Sequence, residues 1–272
     1  MNKILTTVAF IFSLITGMAQ DFQGKAFYKT KRKMTIKMDS TKVATAQQQM
    51  LNEMLKKQFE KEYVLTFDKE QSIYKEQESL GGIQQGGIQI IMAGGSDILY
   101  RNTKEERYVN QNEFFGKPFL IMDDAKKQEW KLESETKKIG DYTCYKATTT
   151  REVEEVKRTI TDGNENEEKI TKTVKVVAWY TTEIPVAHGP SNYWGLPGLI
   201  LEVNDGSQVM ICNKLVLNPK EKLSLKEPKS GKVVTQEVYD KIVEKKMKQM
   251  EKSYQHRGKK GDGNSIEIKI EG

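Results

Sequence analysis

The sequence predicts a β-rich α+β fold, in which a curved, mainly antiparallel sheet resembling an open half-barrel carries two amphipathic helices. Three observations predict it. Strand-like segments recur roughly every ten residues between 97 and 153, separated by Asn, Gly, Asp and Lys turns, as in an antiparallel meander. Other segments alternate apolar and polar residues with a period of two. Two further segments have the apolar spacing of a helix.

The N-terminal half is predicted to contain strands, one helix and a glycine-rich loop. Residues 27–38 alternate in polarity, which indicates a half-buried strand. Residues 45–62 have helical spacing and predict a helix that can cover a sheet. Its apolar positions are Met50, Leu51, Met54, Leu55 and Phe59. Residues 63–68 and 72–76 predict a hairpin, and the glycines of 80–96 predict a mobile loop.

The C-terminal half is predicted to contain further strands and the second helix. Residues 152–170 are a charged connector, read as either a long exposed hairpin tip or a disordered insertion. Residues 173–185 are rich in β-branched and aromatic side chains, which favour a strand. Helical spacing returns from 235 to 254, with Thr235 as the expected N-cap, and a basic tail follows at 255–264.

The first 19 residues have the pattern of a secretory signal peptide. Lys3 precedes a short apolar stretch, and Gly17 and Ala19 occupy the positions of a cleavage site. The apolar stretch is shorter than the roughly 20 residues of a transmembrane helix, and no later segment is as apolar. The cleavage junction has no cysteine, so we do not expect a lipoprotein. We expect residues 20–272 to form a single β-rich domain in the periplasm or cell envelope.

The charge of the chain is mildly basic and evenly spread. There are 44 basic and 38 acidic residues, which gives a net charge of +6. The two signs are interspersed, as on solvated sheet and helix surfaces, whereas a nucleic-acid groove concentrates positive charge. We therefore expect no nucleic-acid partner.

The segment 191–209, SNYWGLPGLILEVNDGSQV, predicts the entry to the central hairpin of the sheet. Pro197 fixes its φ for the second position of a type II turn, and Gly198 is expected to supply the positive φ of the third. Gly195 allows the backbone to bend or approach another segment. Residues 199–203 are apolar on both faces, as in a covered central strand. The Asn-Asp-Gly at 204–206 predicts a hairpin turn.

These residues resemble the GLPGLI family of exported Bacteroidetes proteins, named for the hexapeptide matched here. The resemblance covers residues 137–217, including "IGDYTCYKA" and "AWYTTEIP" upstream of the motif. The matched motif positions are Gly189, Pro190, Gly195, Leu196, Pro197, Gly198, Leu199 and Ile200. The resemblance implies export and an encoding position near TonB-dependent outer-membrane transport proteins. It implies no catalytic residues.

Recognisable patterns of catalytic and metal-binding residues are missing from the sequence. The two histidines, His188 and His256, lack the spacing of metal ligands, so we expect no metal and no cofactor. Ser191 and His188 could serve a hydrolase, although the nucleophile elbow of such enzymes is not present. Glu183 and Asp205 fit a solvent-facing sheet position and a turn.

An aromatic cluster next to the motif is the best candidate for a binding site. Trp179, Tyr180, Tyr193 and Trp194 are either core residues or a platform at the mouth of a pocket. In the second interpretation His188 and Asn192 are polar contacts at its rim. A small apolar ligand or an envelope protein could then bind there.

Two cysteines, Cys144 and Cys212, lie on predicted strands. In an oxidising compartment two cysteines can form one disulfide. The equal alternative is a pair of buried free thiols that pack as small hydrophobic residues.

Three hypotheses about function stay open at this point. The leading one is an exported, non-enzymatic binding or accessory protein that works with an outer-membrane transport system through the loop at 186–198. The second is a secreted hydrolase that uses the same loop. The third gives the motif a purely structural role.

Overall fold

The structure is a computed structural model that describes residues 22–32, 35–36, 60–77, 97–161, 164–258 and 268–269. The predicted signal peptide, most of the first predicted helix, the glycine-rich loop and residues 259–264 of the predicted basic tail lie outside these residues.

The described residues form strands and one helix. The strands are β1 (Gly24–Arg32), β2 (Thr35–Ile36), β3 (Glu60–Phe67), β4 (Gln71–Glu76), β5 (Ile98–Asn102), β6 (Arg107–Phe114), β7 (Lys117–Asp124), β8 (Lys131–Ile139), β9 (Tyr142–Thr161), β10 (Asn164–Thr181), β11 (Leu199–Asn204), β12 (Gln208–Leu217), β13 (Lys232–Val234) and β14 (Ile268–Lys269). The helix is α1 (Gln236–Gly258).

Twelve strands form one open sheet, in the order β13-β7-β6-β5-β4-β3-β1-β12-β11-β10-β9-β8. All neighbours in it are antiparallel except β13, which runs parallel to β7. β14 and β2 form a separate antiparallel pair. The prediction of a strand-rich, mainly antiparallel sheet is therefore confirmed, and β3 with β4 forms the predicted hairpin.

The connection between β7 and β8 requires the sheet to curl. These strands are consecutive in the chain but ten places apart in the sheet, which in a flat sheet is about 48 Å. The segment from 125 to 130 that joins them reaches at most about 25 Å. The two ends of the sheet must therefore approach each other, so the predicted curvature follows from the topology.

The prediction of two helices was wrong for the described part of the chain, which contains α1 alone. Residues 60–62, at the end of the predicted first helix, belong to β3, where Glu60, Lys61 and Glu62 pair with β1. Pairing with a neighbouring strand overrides the local helical spacing there. Residues 45–59 lie outside the described residues.

Helix α1 covers the β7 end of the sheet. Thr235 caps it, since Val238 N donates to Thr235 Oγ1 over 3.4 Å. Tyr239 packs edge-on against Phe119, with ring centroids 5.3 Å apart, and its hydroxyl donates to Asn112 Oδ1 over 2.6 Å. Within the described residues, no helix is both long and apolar enough to span a bilayer.

The two faces of the sheet carry separate cores. Face A is the side on which Tyr28, Leu65 and Cys144 pack, and face B is the side on which Ala147, Ala178 and Met210 pack. Strand β11 is buried from both sides, as predicted: Leu199 and Leu201 pack on face A and Ile200 on face B.

A β-bulge interrupts the pairing of β10 with β11. Trp179 pairs with Glu202 and Tyr180 with Ile200, so Leu201 is the extra residue. The Ile200 carbonyl beside it accepts a 2.6 Å hydrogen bond from the buried Tyr28 hydroxyl. The bulge therefore does not leave this carbonyl unpaired in the core.

The charged connector at 152–170 is part of a long hairpin. β9 and β10 pair without a register shift from Asn164↔Thr161 to Tyr180↔Tyr145. Of the two sequence-based alternatives, the hairpin is found.

Candidate functional site

The segment between β10 and β11, residues 182–198 and hereafter the motif loop, is mostly buried. Ile184 and Val186 pack on face A, while Tyr193 and Leu196 pack on face B. Each of these four side chains is at most 9% exposed. The loop therefore joins the two cores of the protein, and only its outer turns reach the solvent.

The glycines of the motif allow close backbone contacts. A Cβ on Gly198 would lie 2.1 Å from the Thr181 carbonyl oxygen, and one on Gly189 would lie 2.5 Å from the Tyr193 carbonyl oxygen. The predicted positive φ at Gly198 was wrong: the left-handed glycine of the loop is Gly195, with φ +92. Gly198 is required because the loop lies against the backbone of β10.

The connection at 125–130, hereafter the strap, holds the middle of the motif loop. Trp130 Nε1 donates to the Trp194 carbonyl over 2.8 Å, and Gln128 Nε2 donates to the Asn192 carbonyl over 2.7 Å. Trp194 N donates to Gln128 Oε1 over 3.3 Å. The segment that closes the curled sheet thus also fixes the loop.

The Trp194 ring is 1% exposed and lies next to two cations. The Arg101 guanidinium is 5.7 Å and the Lys127 ammonium 5.5 Å from its ring centroid. Arg101, from β5, is 3% exposed and donates to the Ser191 carbonyl over 2.7 Å. Burial lowers the pKa of Arg101 to about 10, so the side chain is still a cation at neutral pH.

His188 is fully buried and neutral. Its Nε2 donates to the Asp68 carbonyl over 3.0 Å, because a carbonyl can only accept. Its ring lies 6.0 Å from that of Phe67, and Nδ1 has no hydrogen-bond partner among the described residues. Burial first, and then the positive charge of Arg101, lower the pKa of His188 to about 3.

Asp205 joins the β11–β12 turn to the motif loop. Its Oδ1 accepts from the backbone N–H and hydroxyl of Ser207 and from Gln208 N, while Oδ2 accepts from the Tyr193 hydroxyl over 3.1 Å. Burial raises the pKa of Asp205, but the hydrogen bonds and the Arg151 charge outweigh it, and the net shift is downward. The predicted turn former is therefore also a buried anion, 3% exposed.

The predicted binding residues do not form one surface. Trp179 lies on face A, with Lys137 Nζ 4.4 Å from its ring centroid, whereas Tyr180 packs on face B. Three of the predicted residues are at most 9% exposed. They are His188, Tyr193 and Trp194. The two predicted rim contacts differ, since Asn192 is exposed and His188 is buried.

Several residues that build this region were missed by sequence reasoning. Arg101, Gln128 and Trp130 come from distant strands or from the strap, and Asp68 contributes a backbone carbonyl. A local signal existed only for Arg101, an arginine within the apolar run ILYRN. The other contacts depend on the order of strands in the sheet.

Cys144 and Cys212 are free thiols, so of the two alternatives the disulfide is not found. The cysteines lie on β9 and β12, three places apart in the sheet. Three spacings place their Cα atoms about 14 Å apart, beyond the roughly 7 Å that a disulfide can bridge. Burial raises the pKa of each thiol to about 11.

In the part of the chain that the structure describes, the predicted Ser191 and His188 pair is not assembled as catalytic groups. His188 uses Nε2 on a backbone carbonyl and bonds to no described carboxylate, while Ser191 has φ 53 and accepts from Arg101 through its carbonyl. Within the described residues, no group of three or more His, Cys, Asp or Glu side chains could hold a metal ion.

Part of this region matches the model of a described family. Residues 130–202, which include the strap residue Trp130 and the motif loop, match the model of a family described as "Protein of unknown function (Porph_ging)". No curated protein matches the chain.

Two solved structures of PNGF-II are similar to the chain. The one in space group C2 has a TM-score of 0.48 and 15% identity, with 82% of this chain and 32% of that chain covered. The one in space group P21 has a TM-score of 0.47 and 15% identity, with coverages of 81% and 33%. The chain thus spans about a third of the length of these PNGF-II chains.

Proposed function

We propose that this chain is an exported GLPGLI-type protein of the cell envelope that binds a partner protein without catalysis. The proposed partner is a component of a TonB-dependent outer-membrane transport system. The proposed contact surface is the outer rim of the motif loop, which consists of Pro185, Asn192 and Pro197 beside Lys127 of the strap.

The observation that carries this proposal is that buried residues and hydrogen bonds from the strap fix the rim from beneath. Asn192 and Pro197 are exposed, yet the residues beneath them are buried and the strap bonds to the carbonyls of Asn192 and Trp194. A rim fixed from below loses little conformational entropy when a partner binds. The Lys127 ammonium donates to Glu106 Oε1 over 2.6 Å. These two side chains add charged groups at the border of the rim.

Binding of a small apolar ligand has less support. The space between the sheet and the motif loop is filled by side chains such as Ile184, Leu196 and Trp194. A depression of about 290 Å³ on α1 is lined by polar side chains. These are Lys241, Glu244, Lys245, Lys248 and Gln249. Such a lining does not suit an apolar ligand.

Affinity capture from the native envelope tests the proposal. The tagged protein is compared with Asn192→Arg, which places a bulky charge on the rim, and with Ser224→Arg as a control at another exposed position. We expect an outer-membrane partner to be retained by the wild type and the control and lost with Asn192→Arg. Equal capture by all three proteins, or absence of the protein from the envelope fraction, contradicts the proposal.

A purely structural role of the motif has its own support. Gly198 lies against β10, and Trp194 is buried beneath the strap, so the geometry of the loop serves packing as well. In this case the rim variant Asn192→Arg keeps every partner, while substitutions at Gly198 destabilise the fold. The two roles are separated by measuring stability and capture on the same variants.

A further inference from the structure

A row of polar side chains crosses face A away from the motif loop. The strand register places Tyr63, Glu76, Asp97 and Asn112 side by side, each on the next strand from β3 to β6, with Asp97 directly before β5. We call these four residues the polar row. Asp97 precedes Arg101, which contacts the motif loop, by four residues, or about 13 Å along the strand. The polar row and the motif loop therefore lie at different ends of these strands.

A chain of hydrogen bonds from α1 fixes the Asp97 carboxylate. The Tyr239 hydroxyl donates to Asn112 Oδ1 over 2.6 Å, and Asn112 Nδ2 donates to Asp97 Oδ1 over 2.8 Å. Because one amide makes both bonds, its orientation and that of the carboxylate are set. Asp97 Oδ2 has no hydrogen-bond partner within the described residues. The polar row thus contains an oriented acceptor oxygen that these residues leave unused.

Among the described residues, Asp97 has no cation of its own. The nearby Lys61 ammonium donates to Glu76 Oε2 over 2.7 Å. Burial raises the pKa of Asp97 and outweighs the hydrogen bond from Asn112 and the charge of Lys61. The ionised carboxylate therefore destabilises the folded state. Such a group next to a specific charge partner is typical of functional sites.

Tyr63 adds an aromatic surface to the polar row. Its ring stacks on that of Tyr74, with the centroids 4.9 Å apart and the planes 6° from parallel. Tyr74 is 8% exposed, whereas Tyr63 is only half-buried. A partly exposed tyrosine ring next to carboxylates offers an apolar face and hydrogen-bonding groups to the same ligand.

Three more polar atoms of face A are buried without a hydrogen-bond partner in the part of the chain that the structure describes. They are Thr30 Oγ1, Tyr74 OH and Asn110 Oδ1. Thr30 follows Tyr28 by two residues, and Tyr74 and Asn110 both pair with Leu99. Buried polar groups are otherwise almost always bonded. The polar row therefore borders on groups that the protein leaves unsatisfied, which favours a polar ligand over a purely structural network of ion pairs.

The charges around the polar row cancel. Lys61 and Arg32 contribute two positive charges, and Glu76 and Asp97 contribute two negative ones. A cationic ligand would be repelled by the first pair and an anionic ligand by the second, while an apolar ligand would remove all four charges from water. A neutral ligand with many hydroxyl groups avoids each of these penalties.

We propose that the polar row binds a neutral saccharide. One sugar ring lies on Tyr63, its hydroxyl groups donate to Asp97 Oδ2 and Glu76, and the Lys61 ammonium donates to a hydroxyl oxygen. The Lys61 and Glu76 side chains are 38% and 26% exposed, so the ring can reach them. A single ring binds with a dissociation constant of about 1 mM on an order-of-magnitude estimate. This site is separate from the rim of the motif loop and does not depend on the partner protein proposed there.

A glycan array tests the class of ligand. The probes are immobilised oligosaccharides of neutral hexoses, of hexuronic acids and of hexosamines with free amino groups. We expect the protein to bind the neutral probes. The same oligosaccharide in solution competes if a free sugar is the ligand, and it does not compete if an attached glycan is required. Binding of the acidic or amino probes alone, or of none of the three classes, overturns the proposal.

Removal of one carboxylate tests the assigned site. Asp97→Asn keeps the size of the side chain and can still accept from Asn112, but it replaces the free oxygen with a donor. We expect NMR titration with the neutral oligosaccharide to show at least about tenfold weaker binding. Urea unfolding should show no loss of stability, because burial disfavours the ionised form of Asp97.

The control for this variant is Glu62→Gln. Glu62 is next to Tyr63 on β3, but its side chain lies on the opposite face, 3.3 Å from the Lys29 ammonium. We expect Glu62→Gln to bind the oligosaccharide like the wild type. Equal binding by Asp97→Asn and this control contradicts the proposal.

Two substitutions of Tyr63 test the stacking. Tyr63→Phe keeps the ring and should retain most of the affinity, whereas Tyr63→Leu should bind at least about fivefold more weakly. Wild-type affinity of Tyr63→Leu would rule out a sugar ring on Tyr63. The rim variant Asn192→Arg should leave saccharide binding unchanged, so the saccharide site and the partner protein at the rim can fail independently.

Discussion

Replacing His188 with glutamine should remove most of the acid sensitivity that the motif loop gives to the fold. His188 is fully buried, and its pKa is lowered from 6.5 to about 3 by burial and the nearby Arg101. Between these values the unfolded chain binds a proton at this position and the folded chain does not. The free energy of unfolding therefore falls as the pH drops below 6.5 and continues to fall until about pH 3.

The magnitude follows from the two pKa values. A pKa lowered from 6.5 to about 3, with about 1.4 kcal/mol for each tenfold change in proton affinity, corresponds to a loss of about 5 kcal/mol over the whole range. Between pH 7.5 and pH 5 the expected part is about 2 kcal/mol. Glutamine does not titrate, and its Nε2 can still donate to the Asp68 carbonyl.

Urea unfolding of the wild type and His188→Gln at pH 7.5 and pH 5 measures this effect. We expect the wild type to lose about 2 kcal/mol more than the variant over this interval. His256 and the carboxylates are the same in both proteins, so their contributions cancel. Equal losses, or an imidazole of His188 that titrates near pH 6.5 by NMR, would refute the assignment of a buried neutral histidine.

Three further predictions concern Gly198, Asp205 and the two cysteines. Gly198→Ala should destabilise the protein by more than about 4 kcal/mol in urea unfolding, because the new Cβ meets the Thr181 carbonyl. Asp205→Asn should cost about 1–3 kcal/mol at pH 7 by the same measurement. Since the pKa of Asp205 is lowered, this difference should vanish as the pH falls through that pKa. Cys144 and Cys212 should resist iodoacetamide in the native protein and both react in denaturant, as mass spectrometry can show, because burial raises both pKa values to about 11.

Most strands could be predicted because their signals are local. Period-two alternation, β-branched runs and turn residues predicted β3 with β4, β10, β11 and β12, and helical spacing behind Thr235 predicted α1. The signal failed at residues 60–62, where pairing with β1 is stronger than local spacing. The local signal also left two alternatives open at residues 152–170, because their charged composition fits a solvated hairpin as well as disorder.

The candidate site was predicted less well, because aromatic residues look the same in a core and on a surface. The sequence indicated Trp194 and Tyr193 as either core residues or a binding platform. Their burial depends on the strap and on Arg101 from β5. Gly198 was predicted to be a glycine because of a positive φ, which the structure does not show. Its close approach to Thr181 is a contact between segments, and no local turn pattern reveals it.

The sequence by itself determined the strand-rich class, the hairpin turn at Asp205 and the position of the motif before a doubly covered strand, since each depends on residues close together in the chain. The tertiary structure alone decided which strands are neighbours. That order curls the sheet through a six-residue strap, separates Cys144 from Cys212, and buries His188 beside Arg101. These outcomes depend on contacts between distant segments, and burial and charge then set the chemistry of each group.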